Sequence, residues 1–274
     1  MDWIMKDQTI NHPDRSILTI YTGPEKFSFS LYDPKERGSY SYTDLAANNP
    51  NDAFSAFKEA FFEKPLFSLP FRKVLILNRT SNFIFVPHSF YKEQHREKFL
   101  HFLLSDQQGM ALTCSVSSAK LTVLYQMPEN VYQFILRSFD KPEFIHYSAP
   151  LITYFLEKVK SSNVRRMVVN LQEKGVDIFC FSEKTFLLGN YFPCQNLSET
   201  VYFILYTWKQ LQLNQTNDYL HIIGNAVFKE ELIHRLTSYL QHIYCPSILP
   251  EIYFEGVNTD KVPFELAALP SCGL

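Results

Sequence analysis

Histidine and cysteine are the side chains most often recruited as metal ligands and nucleophiles, and this chain carries eight and five of them. Their spacing organises neither chemistry. His88, His95 and His101 fall near one expected helix and His234 and His242 on another, and none has the i,i+4 step of a helical metal pair. Cys114, Cys180, Cys194, Cys245 and Cys272 are scattered, with no two at metal-ligand spacing. Buried, reduced thiols are the expectation, with Cys272 an inert terminal thiol. Gly-x-Ser-x-Gly, Walker A and Gly-x-Gly-x-x-Gly motifs are all missing.

The elements that would position any site emerge from periodicity. Leu18 and Ile20, then Phe27, Phe29 and Leu31, alternate with more polar neighbours around a Gly23-Pro24-Glu25-Lys26 turn. A second turn from Asp33-Pro34 to Gly38 leads to Tyr40 and Tyr42, giving a three-stranded antiparallel meander. The pattern returns at Met167–Tyr191. Val168–Leu171, then Val176, Ile178 and Cys180, then Thr185–Tyr191 are strands with turns at Gln172–Gly175 and Ser182–Lys184.

A helix follows each meander. Asn49 and Pro50 suit a cap and a first helical position, and Ala53, Phe54, Phe57, Ala60 and Phe61 form one stripe before Pro65. Asn196 or Ser198 caps the second helix, whose stripe is Val201, Ile204, Leu205, Trp208 and Leu211. Strands are expected next at Lys73–Leu77 and Tyr219–Ile223. A helix with Phe228, Leu232, Leu236, Tyr239 and Ile243 on one face and a last strand at Glu251–Phe254 complete the second half.

The first half carries more. Strands are expected at Phe83–Val86, Leu112–Ser117, Leu121–Tyr125 and Phe144–Tyr147. Helices are expected from Ser89 to about Leu104, from Pro128 through Val131, Ile135 and Phe139, and over Ile152–Val159. Ser161-Ser162-Asn163 marks a boundary. The expectation is an α/β chain of two tandem ribonuclease-H-like mixed-sheet domains, 1–162 and 163–274, the first with extra material.

Two such sheets in tandem resemble the actin-like ATPase superfamily, and the order of the first half is closest to its pilus-assembly and cell-division branch, a resemblance that implies an inserted α+β subdomain in the first domain at about 80–118. The chain is also similar, over nearly its whole length, to a bacterial family of unknown function with that duplicated fold. Phe27-Ser-Phe-Ser-Leu-Tyr-Asp33, Phe85-Val-Pro87 and Ala267-Ala-Leu-Pro-Ser-Cys-Gly273 carry that likeness. The resemblance implies ATP and Mg²⁺ between the halves, with an Asp and a small Gly- and Thr-rich turn on each first hairpin.

The residues depart from that pattern. Gly23 and Thr22 remain in the first hairpin, without an Asp. Pro24 removes an N–H donor and Glu25 adds negative charge. In the second hairpin Asn170 stands where the Asp would be, among bulkier residues; an amide adds no charge and cannot act as a base. Ile222-Ile223-Gly224-Asn225 resembles the strand-Gly-Gly-helix segment that cradles adenosine, with Asn225 for the second Gly. Any nucleotide contact would therefore fall on Gly23, Gly224 and Asn225, and a structural cap is the competing role of the last two. The carboxylate cluster of a two-metal nuclease is also missing, since Thr19, Tyr21 and Val169 occupy first strands and Asn78 and Gly224 end the fourth.

Composition narrows the partners. With 46% hydrophobic and 20% charged residues a packed core is expected, and 25 Phe with 16 Tyr should supply much of it. The net charge of -2 offers no cationic face for nucleic acid. Polar residues 1–16 lack a signal peptide's apolar centre, and no apolar run reaches the ~18 residues of a membrane helix. The reading is a cytoplasmic, non-catalytic pseudo-ATPase that binds another protein. Its rival is an unconventional ATP-binding protein or nucleotide-dependent switch.

Overall fold

A computed structural model describes residues 12–24, 26–45, 53–96, 98–99, 109–159, 164–183, 185–246 and 262–272. Two compact units emerge. One holds Met1–Arg79 and Pro128–Ile145, and the other holds Thr80–Met127, His146–Leu249 and Thr259–Leu274.

The first unit opens with the meander β1 (Ile17–Thr22), β2 (Phe27–Tyr32) and β3 (Ser41–Leu45), then α1 (Ala53–Glu63) and β4 (Lys73–Asn78). The chain enters the second unit as β5 (Phe83–Pro87), β6 (Met110–Val116) and β7 (Leu121–Met127). It returns with α2 (Glu129–Ser138) and β8 (Glu143–His146). The sheet order is β3-β2-β1-β4-β8, with β1 antiparallel to β2 and parallel to β4.

Every residue of β1 and β2 is buried, so these central strands are covered on both faces. Phenylalanines fill one side. Phe27 stacks on Phe57 at 4.9 Å, and Phe134 of α2 meets Phe54, Phe57 and Phe61 edge-on. Such ring pairs add about 0.5–1.5 kcal/mol each beyond burial, which explains why a helix as short as α1 holds.

The second unit continues with α3 (Ser148–Val159), β9 (Arg165–Gln172), β10 (Gly175–Ser182) and β11 (Thr185–Pro193). Then come α4 (Leu197–Gln210), β12 (Tyr219–Gly224), α5 (Lys229–Leu236), β13 (His242–Tyr244) and α6 (Phe264–Ala268). Its main sheet runs β11-β10-β9-β12-β13, which repeats the order of the first; β5, β7 and β6 form a separate antiparallel sheet.

Met167, Val169, Leu171, Leu220 and Ile222 pack under α4 and α5 against Ile204, Trp208, Leu232 and Leu236. On the opposite face Phe155 of α3 stacks on Phe181 and on Phe264 of α6. The Asn196 side chain caps α4 by accepting from Glu199 N at 3.0 Å, and Glu199 accepts from Gln195 N at 2.7 Å, which satisfies N–H groups at the helix start.

Two expected elements differ. The helix with Leu232 and Leu236 stops at Leu236, so Tyr239 lies beyond it, and His242 and Ile243 form the edge strand β13. That strand pairs in parallel with β12 and is the fifth of its sheet; Glu251–Phe254 lies outside the described residues. Ser89 sits in a turn rather than capping a helix, and the next helical turn is Glu93–His95, with most of 97–108 outside the described residues. Asn49, Pro50 and Ser161–Asn163 also lie outside.

Candidate functional site

In each main sheet the first and fourth strands are parallel neighbours, so their C-terminal ends lie side by side, where open α/β sheets place ligands.

In the first unit β1 and β4 end together at Thr22 and Asn78, which are register partners. Both are buried, and Asn78 Nδ2 donates to Thr22 Oγ1 at 3.0 Å. The Arg79 N–H donates to the Thr22 carbonyl at 2.7 Å. Gly23 follows in the turn, and its N–H closes the hairpin on the Lys26 carbonyl at 2.9 Å. A Cβ on Gly23 would lie 3.3 Å from that same carbonyl, so the residue fits tightly into its own turn.

In the second unit the strand ends enclose a carboxylate. Asp177 on β10 is the register partner of Asn170 on β9 and is 0% exposed. Tyr147, also fully buried, donates its hydroxyl to Asp177 Oδ1 at 2.6 Å. Asn170 Nδ2 and Gln172 Nε2 each donate to Oδ2 at 3.3 Å. A buried charge costs several kcal/mol unless hydrogen bonds compensate it, and three donors converge here to do so. Tyr147 is placed by the turn into α3, where the neighbouring His146 Nδ1 contacts Ser148 Oγ at 2.7 Å.

Gly224 ends β12 against this cluster. Its φ is +74°, and a Cβ there would meet the Leu171 carbonyl at 2.4 Å and Asn170 Oδ1 at 2.7 Å. Close approach to β9 therefore demands glycine. The Gly224 carbonyl accepts from Lys229 Nζ at 2.9 Å. Asn225 lies in the loop before α5, whose first residue is Lys229, so Gly224 and Asn225 are adjacent to each other but are not the cap of that helix. Gly23 belongs to the first unit and Gly224 and Asn225 to the second.

The sequence pattern located Asn170 and Gly224 and missed Asp177, Tyr147 and Gln172. A signal was present: Asp177 is a lone carboxylate within Val176-Asp-Ile-Phe-Cys180, and charge inside such an apolar run requires dedicated partners. Among the described residues no three His, Cys, Asp or Glu side chains converge as metal ligands, and all five cysteines are free: Cys180 and Cys194 buried, Cys114 and Cys272 partly so, Cys245 exposed. No helix among the described residues is long and apolar enough to cross a membrane.

Solved structures share this architecture. A Bacteroides thetaiotaomicron protein with an actin-like ATPase fold and unknown function superposes with a TM-score of 0.81 at 24% identity, covering 95% of this chain and 97% of that one. A chain of the PilM–PilN type IV pilus biogenesis complex gives a TM-score of 0.61 at 11% identity, covering 93% and 98%. The fold is that of the actin-like ATPases. No curated protein matches the chain. A family model matches residues 6–243, and the chain accordingly belongs to that family, the protein of unknown function family DUF3822.

Proposed function

We propose that the protein is a non-catalytic, cytoplasmic scaffold that uses the actin-like frame to bind another protein. The observation that carries this reading is the state of Asp177. It is the acid at the second hairpin, yet it is fully buried and its oxygens accept from Tyr147, Asn170 and Gln172. A carboxylate that organises Mg²⁺ must present oxygen to the ion or its waters.

The rest of the strand ends fit a magnesium triphosphate no better. The Gly23 N–H is taken by its own turn, Pro24 has none, and the bare backbone of Gly224 faces Leu171 and Asn170 instead of open space. The frame itself serves protein binding elsewhere: the structure at 11% identity was solved as a PilM–PilN complex. That likeness concerns fold alone, and the scaffold reading rests on the buried acid.

A thermal-shift titration of the whole chain with Mg-ATP tests the proposal. No shift is expected up to millimolar nucleotide. A saturable gain of about 2.7 kcal/mol at ~100 times a dissociation constant, or hydrolysis by the pure protein, would overturn it in favour of nucleotide contacts at Gly23, Gly224 and Asn225. The partner arm is a captured protein that re-forms a defined complex with this chain when both are purified.

A further inference from the structure

The second unit holds a cavity of about 530 Å³ that none of the polar residues above lines. It lies by Arg165, at the opposite end of β9 from the Asp177 cluster, so the rise of a strand puts the two roughly 20 Å apart. Its volume falls within the ~300–1,000 Å³ of small-molecule sites.

The wall is built and held. Leu205, Trp208 and Lys209 lie at i, i+3 and i+4 on the last turns of α4 and share one face. Leu213 follows in the loop, Tyr239 stands beyond α5, and Arg165 closes the side. Arg165 Nη1 donates to the Leu211 carbonyl at 2.9 Å and Nη2 to the Gln212 carbonyl. Its guanidinium also pairs with Asp218 at 3.2 Å, and Asp218 accepts from Asn214 N at 2.6 Å. These bonds fix the loop after α4, and Gln212, with φ at 52°, turns it outward.

Charge and apolar surface define the occupant. Asp218 balances Arg165, which leaves the Lys209 ammonium with no ion pair or hydrogen bond among the described residues. Trp208 is 3% exposed and its indole nitrogen is itself enclosed, so the residue meets the cavity as part of an apolar wall. The floor of Leu205, Leu213 and Trp208 is apolar. The helix end here is the carbonyl end, which disfavours a multiply charged anion such as a phosphate monoester. Arg165 already satisfies two of the terminal carbonyls, so a single negative charge beside Lys209 is tolerated.

We infer that this cavity binds a small monocarboxylic acid with an apolar body. Its carboxylate sits at Lys209. Its hydrocarbon part lies on Leu205 and Leu213 under Tyr239. The site is separate from the strand ends, so its fate does not depend on the scaffold reading.

The chain contains two tryptophans, so Trp3→Phe leaves Trp208 as the sole indole reporter. Phenylacetate and hexanoate are titrated against this full-length variant by emission and calorimetry, with phenylacetamide as the neutral match. Saturation by at least one acid with a Kd of about 1 mM or tighter is expected, with binding about tenfold weaker for the amide and for Lys209→Met or Lys209→Gln. Tyr239→Ala should weaken the acid severalfold. Circular dichroism checks each fold, and the acid-against-amide comparison requires no lysine variant. Failure of both acids to saturate by about 10 mM, or equal affinity for acid and amide, overturns the inference.

Discussion

Asp177 concentrates the consequences of burial in one side chain. Replacing it by Ala takes the carboxylate acceptors away from the buried Tyr147 hydroxyl and Asn170 amide, and each buried group left unsatisfied costs about 1–3 kcal/mol. Asp177→Ala should lose about 3 kcal/mol or more in urea unfolding, and Asp177→Asn clearly less, because one acceptor survives. His221 offers a second test. Burial, with a smaller contribution from the nearby Arg166 charge, depresses its imidazole to about 4, and it packs between the rings of Phe155 and Tyr244. That lies below the roughly 6.5 of an unfolded histidine, so between the two values the unfolded chain holds the extra proton. Stability is then full above about pH 6.5 and falls as pH drops toward 4, by roughly 1–3 kcal/mol from this group. The unfolding free energy lost between pH 7.5 and 4.5, read from urea titrations, should be smaller in His221→Phe by that amount. Sequence pattern reached Asn170 but passed over Asp177 for a physical reason. Alternation of Val176, Ile178 and Cys180 implies that the intervening residues face water, whereas α3 covers that face and turns Asp177 inward.

Elements were legible wherever local sequence and tertiary packing agreed. Both meanders, α4 with its Asn196 cap, and the parallel strands β4 and β12 stand where period and turn chemistry put them. The stripe from Phe228 to Ile243 failed because its apolar spacing outlasts the helix: backbone bonding turns after Leu236, and three residues of β13 are too few to show alternation. Removing the cap with Asn196→Ala should cost about 1 kcal/mol in thermal or urea unfolding. Gly224→Ala should cost more, roughly 2 kcal/mol or above, since left-handed strain adds to a methyl placed 2.4 Å from the Leu171 carbonyl.

At the scale of the molecule, the chain shuttles between its units instead of finishing one before starting the other. Sequence periodicity is blind to this, because contacts over long separations leave no local trace. A fragment beginning at residue 163 would keep all five strands of the second main sheet but lose Tyr147, α3 and the three-stranded sheet. Phe181 would then lack the cover of Phe155, and Asp177 its shortest bond. The fragment should bind a hydrophobic dye and melt without cooperativity, whereas the intact chain should do neither. The graded burial of the five thiols gives the same sheet a chemical clock. Cys245 stands exposed and should react with an alkylating reagent at once, while Cys180 is wholly enclosed between β9 and β11 and burial pushes its thiol well above the ordinary range. Modification of Cys180 therefore waits for the sheet to part, and its rate counts how often that happens in the native protein.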